Sequence, residues 1–321
     1  MLKRMSIKKI MVSSCAILLL LIIYLIPDNK REINLKQDKI EYSYNNVVST
    51  IYLVDRNNYV ARTSIPSCKC EGVDKAKDLV EGLIIDGNKS SIIPNGFRSI
   101  IPPSVRILNL SLDNSILTID FSKDILDVSE REEKKMLEAI IYTLTSIDGI
   151  DKIIIKVEGE VLNNLPKSGE SLPSVLDKSY GINKTYDLVN TSDIDSYTLY
   201  YVNKYNNNEY YVPVTKYVNS KITDPIKVII KELSSSPIYE TNLMSYLNSE
   251  AKLISYDLSE DTLKLNFNSL LLSDVDKKSI LEEVIYTISL SMDNIYNDLK
   301  EVSFWVDDEE IYVMKMDELN S

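Results

Sequence analysis

The stretch EAIIYTLT (138–145) returns far downstream as EEVIYTIS (282–289). An echo of that length limits the chain to architectures built from two like units. The match extends upstream, because Ser129 opens SEREEKKMLEAIIYTLT and Ser273 opens SDVDKKSILEEVIYTIS. Each Ser is followed three residues later by an acid, Glu132 or Asp276, which predicts a capping box at the start of each helix. Met136, Leu137, Ile140, Ile141 and Leu144 match Ile280, Leu281, Val284, Ile285 and Ile288 at one constant separation. Both sets have the spacing of a helix that buries a single face.

The neighbouring segments repeat as well. ILTIDFS (116–122) faces TLKLNFN (262–268), and each alternates apolar and polar residues as a half-buried strand does. The preceding strands alternate too, Leu108, Leu110 and Leu112 against Ile254, Tyr256 and Leu258. An earlier helix starts at Asp74 in one copy and at Asp224 in the other, with Pro225 at its first position. STIYLVD and YTLYYVN open the two units as strands, a second short strand follows each, and KIIIKVEG and EVSFWVDD close them. Each unit therefore reads β-β-α-β-β-α-β. The expected fold is α+β: two tandem small domains whose helices pack on one face of a mixed or antiparallel sheet. The expected boundaries are 49–185 for the first unit, 186–196 for a linker and 197–321 for the second, which lacks the trailing extension of the first.

Ahead of the repeats, residues 1–9 are basic and residues 10–26 run without a charge. That predicts a single transmembrane anchor at the short end of bilayer-crossing length, with Lys3, Arg4, Lys8 and Lys9 on the cytoplasmic side. Residues 27–48 read as a tether, which places the repeats outside the cytoplasmic membrane. A lipoprotein signal ending at Cys15 is the alternative, although the long apolar run follows that cysteine instead of preceding it.

Composition excludes several functions. The net charge is −12, and beyond the basic N-terminus 32 basic residues face 48 acidic ones, a balance that repels phosphate backbones. No nucleic-acid partner is expected. The chain has no histidine, which removes the commonest general base and metal ligand. No metal or cofactor is expected. Cys68 and Cys70 are too close for a disulfide framework and read as free or locally paired thiols in a loop. Carboxylate pairs are the catalytic groups that remain: Glu158 with Glu160, Asp120 with Asp124, and the run Asp307 to Glu310. Two carboxylates can hydrolyse a glycosidic bond, but in a chain with this many acids such pairs arise at turns without function.

The tyrosines say more. YTLYYVNKYNNNEYYV (197–212) places Tyr200, Tyr201, Tyr210 and Tyr211 in a hairpin. Adjacent residues of a strand point to opposite faces, so one face is expected to expose aromatic rings to a partner or to the other unit. On a helical wheel Tyr142 and Tyr286 point away from the apolar stripe. They are expected to form a shared outward surface, where Tyr142→Ala and Tyr286→Ala leave folding nearly intact.

The hairpin ending LTIDFS, the helix and strand EAIIYTLTSIDGIDKIIIKVEG and the tail LPKSGESLPSVLDKSYGIN resemble the GerM domain family of sporulation and spore germination proteins. The two copies of the resemblance span roughly residues 48–316. The second copy departs from the first: Asn266 and Asn268 replace Asp120 and Ser122, SLSMDNIYNDLKEV lengthens the helix–strand connection, and the tail is absent. The resemblance implies a membrane-anchored, non-catalytic envelope protein of an endospore former without a cofactor. It would act between mother cell and forespore as an assembly component of a transenvelope complex, with other sporulation envelope proteins or further copies of itself, as a ring, for partners. The alternatives are an extracytoplasmic module that binds wall fragments or regulates a membrane kinase, and a peptidoglycan hydrolase.

Overall fold

A computed structural model describes residues 47–190, 192–219, 224–235, 241–296 and 298–320. The expected anchor, the tether and Cys15 lie outside them. Among the described residues no helix is long and apolar enough to cross a membrane. The first repeat runs β1 (Val47–Asp55), β2 (Val60–Ser67), α1 (Gly72–Leu83), β3 (Phe97–Arg98), β4 (Ile107–Asp113), β5 (Ile116–Phe121), α2 (Glu130–Leu144), β6 (Lys152–Val157) and β7 (Glu160–Val161). After β8 (Thr185–Asp187) the second runs β9 (Ile194–Tyr205), β10 (Asn208–Asn219), α3 (Pro225–Ser234), β11 (Leu253–Ser259), β12 (Thr262–Phe267), α4 (Glu282–Asp293), β13 (Glu301–Val306) and β14 (Glu309–Lys315). The fold is α+β with four helices among the described residues.

Each repeat builds its own four-stranded sheet, β4-β5-β6-β7 and β11-β12-β13-β14. The two inner pairs, β5 with β6 and β12 with β13, are parallel and the rest antiparallel. Helices α2 and α4 supply the crossovers that parallel neighbours require. The alternating residues Leu117, Ile119 and Phe121, and Leu263, Leu265 and Phe267, are fully buried.

The opening hairpins do not join these sheets. They form a third sheet common to both repeats, in the order β3-β1-β2-β10, with β9 beyond β10 and β8 pairing in parallel along β10. Tyr186 and Asp187, in the span expected to be a linker, are thus paired in a strand. The seam between repeats is the antiparallel approach of β2 to β10, where Arg62 pairs with Tyr211. Hairpin register makes Tyr52 the counterpart of Tyr200, Val60 of Tyr211 and Arg62 of Pro213. The seam therefore brings together equivalent strands about a local two-fold axis passing between Ala61 and Val212, as in an isologous dimer interface.

This third sheet overturns the expectation that the helices cover one sheet face only. Helix α2 lies between β4–β7 and the outer edge of β1, and every residue from Met136 to Leu144 is buried. The Thr143 hydroxyl accepts the Tyr52 N–H at 3.0 Å. In the second repeat the Ser291 hydroxyl of α4 accepts the Tyr200 N–H, also at 3.0 Å. Both helices thus close a strand edge that would otherwise present bare backbone groups.

Those two bonds correct the helix alignment. Thr143 matches Ser291, so Tyr142 is the counterpart of Leu290, and Tyr286 that of Glu138. The echo EAIIYTLT/EEVIYTIS is offset by one helical turn from the structural repeat, a slip that leaves an apolar stripe nearly in phase. The predicted caps differ as well. Ser129 makes no side-chain cap, and Glu132 instead pairs with Arg98 at 2.5 Å. Ser273 lies in a turn closed by Ser279, and α4 begins only after Leu281. Helix α1 begins before Asp74, whereas Asp224 caps α3 by accepting the Lys227 N–H, with Pro225 in the first turn.

Candidate functional site: the tyrosine-lined seam

Five of the six candidate tyrosines lie at the seam, all but Tyr201, and four of the six are buried. Tyr142, expected on the surface, is 0% exposed. Its ring meets Tyr52 edge-on with centroids 5.4 Å apart, and its hydroxyl donates to the Lys178 carbonyl at 3.0 Å. Thr198 of β9 lies 3.4 Å from the same hydroxyl and is bonded in turn to Thr215. The wheel failed because the side of α2 away from its own sheet is covered by the other repeat and by the tail.

Near the axis, the hydroxyls of the equivalent residues Tyr52 and Tyr200 are bonded at 2.9 Å. Tyr201 points off the opposite face and is no freer. It lies beside the Lys216–Glu232 ion pair that ties β10 to α3, and its hydroxyl is buried without a hydrogen bond among the described residues. Tyr210 donates to Asp55 at 2.8 Å, and Asn203, the counterpart of Asp55, reaches the same oxygen at 3.1 Å. Tyr211 and Tyr286 are half-buried and stack in parallel at 5.4 Å. The aromatic face expected on the 197–212 hairpin therefore meets the other unit: Tyr200, Tyr210 and Tyr211 lie in the chain's own joint.

Several seam residues escaped the sequence reading. Pro213 has no N–H to offer across the joint. Asn183 takes that place, its side chain accepting the Val60 N–H at 2.9 Å and donating to the Val60 and Pro213 carbonyls, each at 2.7 Å. Arg62 donates to Thr50 at 3.1 Å and to the Leu319 carbonyl, linking the first repeat to the end of the second. Tyr52 carried a signal, being the one tyrosine at the same place in STIYLVD and YTLYYVN. Asn183 carried none beyond its place in the tail.

The electrostatics are those of a joint. Burial pushes the Tyr142 phenol up, as it does that of Tyr200, so both remain neutral hydrogen-bond donors. Burial also raises Glu138 to about 7, against the Asn183 N–H and Lys184, Lys135 and Lys134, which pull it down. One turn earlier, burial would raise Glu133 as well. Hydrogen bonds from Ser168 and Lys167 win there and hold it below the usual carboxylate range.

A cleft of about 420 Å³ opens beside the axis, lined by Tyr52, Tyr200, Arg62, Lys178, Asp293 and Asn294. Burial raises the Asp293 carboxyl, opposed by Lys178 and Arg62. The expected carboxylate pairs serve local structure: Asp120 accepts the Gly159 N–H, Glu158 the Lys123 N–H, and Asp308 the Asn266 amide. Cys68 and Cys70 are joined in a disulfide before α1. Among the described residues no group of three or more His, Cys, Asp or Glu is placed to hold a metal ion.

Comparison with known proteins gives the same two units. The Germane family, described as sporulation and spore germination, matches residues 50–163 and 198–312. The spore germination protein GerM of Bacillus subtilis (strain 168) is 30% identical over 270 residues, spanning 83% of this chain and 73% of that protein. The solved tandem GerMN domains of the sporulation protein GerM from Bacillus subtilis superpose with a TM-score of 0.75 at 30% identity, covering 82% of this chain and 92% of that one. A repeat visible in sequence, a joint visible in structure and likeness over most of the chain lead to one assignment: this chain belongs to the Germane family of sporulation and spore germination proteins.

Proposed function

We propose that the chain is a non-catalytic assembly component of the sporulating cell envelope. It would be held by its N-terminal apolar segment in a membrane, with both repeats in the space between mother cell and forespore. Family membership supports the sporulation setting. The observation that carries the assembly role is the joint itself. Its buried tyrosines, Asn183 and Arg62 lock two repeats into one body about an axis, and the carboxylates that might have served catalysis are engaged in turns. Such a body suits a structural part better than an enzyme.

Capture of the tagged chain from sporulating cells tests this reading. The expected result is a stable complex with other envelope proteins; binding to purified wall fragments with no protein partner would overturn it. The mass of the mature N-terminus distinguishes an intact anchor from cleavage at Cys15. A second reading, an extracytoplasmic ligand-binding module, draws on the cleft at Tyr52, Tyr200 and Asp293. It expects Asp293→Asn to alter ligand binding without altering the complex.

A further inference from the structure

The two repeats differ most at the outer edge of their own sheets. In the second, β14 runs along the whole of β13 with one bulge at Ile311, and Met314 pairs with Val302. In the first, β7 is short, the chain leaves the edge, and Leu176 returns to bridge Ile153, the counterpart of Val302. Residues 163–175 thus form an insertion that the second repeat lacks.

That insertion folds over the N-terminal half of α2. Leu165 and Leu172 are 2% and 6% exposed, packed into the core of the first repeat. The N–H groups of Lys167 and Ser168 donate to Glu133 at 2.7 and 3.0 Å, and Glu170 pairs with Lys134. On the second repeat the corresponding place is an open groove of about 550 Å³, walled by Ile280, Ile285, Tyr286, Ile311 and Tyr312.

A covering loop that had merely been lost would leave a surface free to become polar. The opposite is found. The buried acids Glu133, to which the covering segment is bonded, and Glu138, which accepts the Asn183 N–H of the tail, have Leu281 and Tyr286 as their counterparts at the start of α4. Leu281, between the lining residues Ile280 and Glu282, is 40% exposed, and Tyr312 in the groove wall 39%. A cluster of exposed apolar side chains on a rigid scaffold marks a binding surface.

We propose that this groove takes a leucine-bearing peptide segment of another protein, which does in trans what residues 163–175 do for the first repeat in cis. The proposal rests on the assembly reading in requiring a protein partner. The filled copy sets the chemistry of the occupant: two aliphatic side chains spaced like Leu165 and Leu172, lying across the isoleucines and between the rings of Tyr286 and Tyr312. The rim carries Glu282, and its Lys278 is already paired with Glu309. Basic residues beside the aliphatic pair therefore fit the rim better than acidic ones.

The test uses the full chain and, as a probe, a fluorescent synthetic peptide of residues 161–177. Saturable binding is expected, weakened at least tenfold by the double substitution Leu281→Ser and Tyr312→Ser, and equally by placing Ser at the positions of Leu165 and Leu172 in the peptide. Both protein positions are exposed, and thermal unfolding of the variant reports that its fold is kept. No saturable binding up to millimolar peptide, or undiminished binding by the double variant, overturns the proposal. So does a chain that dimerises through the groove, or binding that appears only after residues 1–46 are removed, since the occupant is then a second copy or the chain itself. Capture from sporulating cells separates the two levels. Partners retained by the double variant leave assembly standing and the groove idle, whereas partners absent from the parent chain remove the assembly reading whatever the peptide does.

Discussion

Helices α2 and α4 hold equivalent positions and both are buried all round in their second halves, yet only α2 has a cover over its first half. It is roofed by the 163–175 insertion, walled by its own sheet and pressed against Tyr52 of the shared one. Helix α4 keeps the wall and the shared sheet, but its first turns lie open beside Tyr312. The difference shows that the part common to both repeats is the joint, while the covering is particular to the first. Stability and exposure have been divided between two copies of one design.

The sharpest way to break this comparison is to truncate the two tyrosines of the sequence echo. Tyr142→Ala should cost about 3–5 kcal/mol, as for other fully buried aromatics. Tyr286→Ala should cost roughly 1 kcal/mol, because a half-buried stacked ring leaves little cavity. Urea midpoints at unchanged slope measure both; equal costs would mean that α2 is no more enclosed than α4.

A second effect is specific to the roofed helix. Glu138 has a folded pKa of about 7 against an unreplaced value of 4.5, so between those values the folded chain holds the proton more tightly than the unfolded one. Its penalty is absent in acid, grows as pH rises from 4.5 to 7 and is complete above that. Glu138→Gln should therefore stabilise the chain by about 3 kcal/mol at pH 8 and by almost nothing at pH 4. Glu133 works in the opposite sense, contributing stability at neutral pH that is lost on acidification. A pH-independent difference between Glu138→Gln and the parent chain would show that Glu138 stays in water.

The smallest expected effect concerns what the repeats share. Tyr52→Phe and Tyr200→Phe each remove one side of a single buried bond and should each cost about 1 kcal/mol. The pair should cost little more than either alone, giving a coupling in a double-mutant cycle. Full additivity would mean that the two hydroxyls meet without supporting each other.

Much of the fold was legible because strands declare themselves by alternation: Leu117, Ile119 and Phe121 face the core as read, and Asp224 with Pro225 starts a helix as read. The helix register was not legible. A stripe with a period near 3.6 nearly superposes on itself after four residues, so identical words, EAIIYTLT and EEVIYTIS, outvoted the true match of Thr143 with Ser291. Only the backbone N–H groups of Tyr52 and Tyr200, many residues away, fix it. The tyrosine site was half legible. Residue type and clustering pointed to an interface, but whether Tyr200 meets a partner or its own chain depends on how β2 meets β10. No local pattern encodes that meeting.

The equivalence of β2 and β10 about their axis has a consequence for how such a protein can change. In a dimer of identical chains every substitution is felt twice, once on each side, so an insertion that roofs one groove roofs both. Joining the copies in one polypeptide lifts that restriction. The first copy could gain a lid while the second kept a bare, greasy groove, with the joint between them untouched. A symmetric ancestor would have had to choose one state; the fused chain holds both.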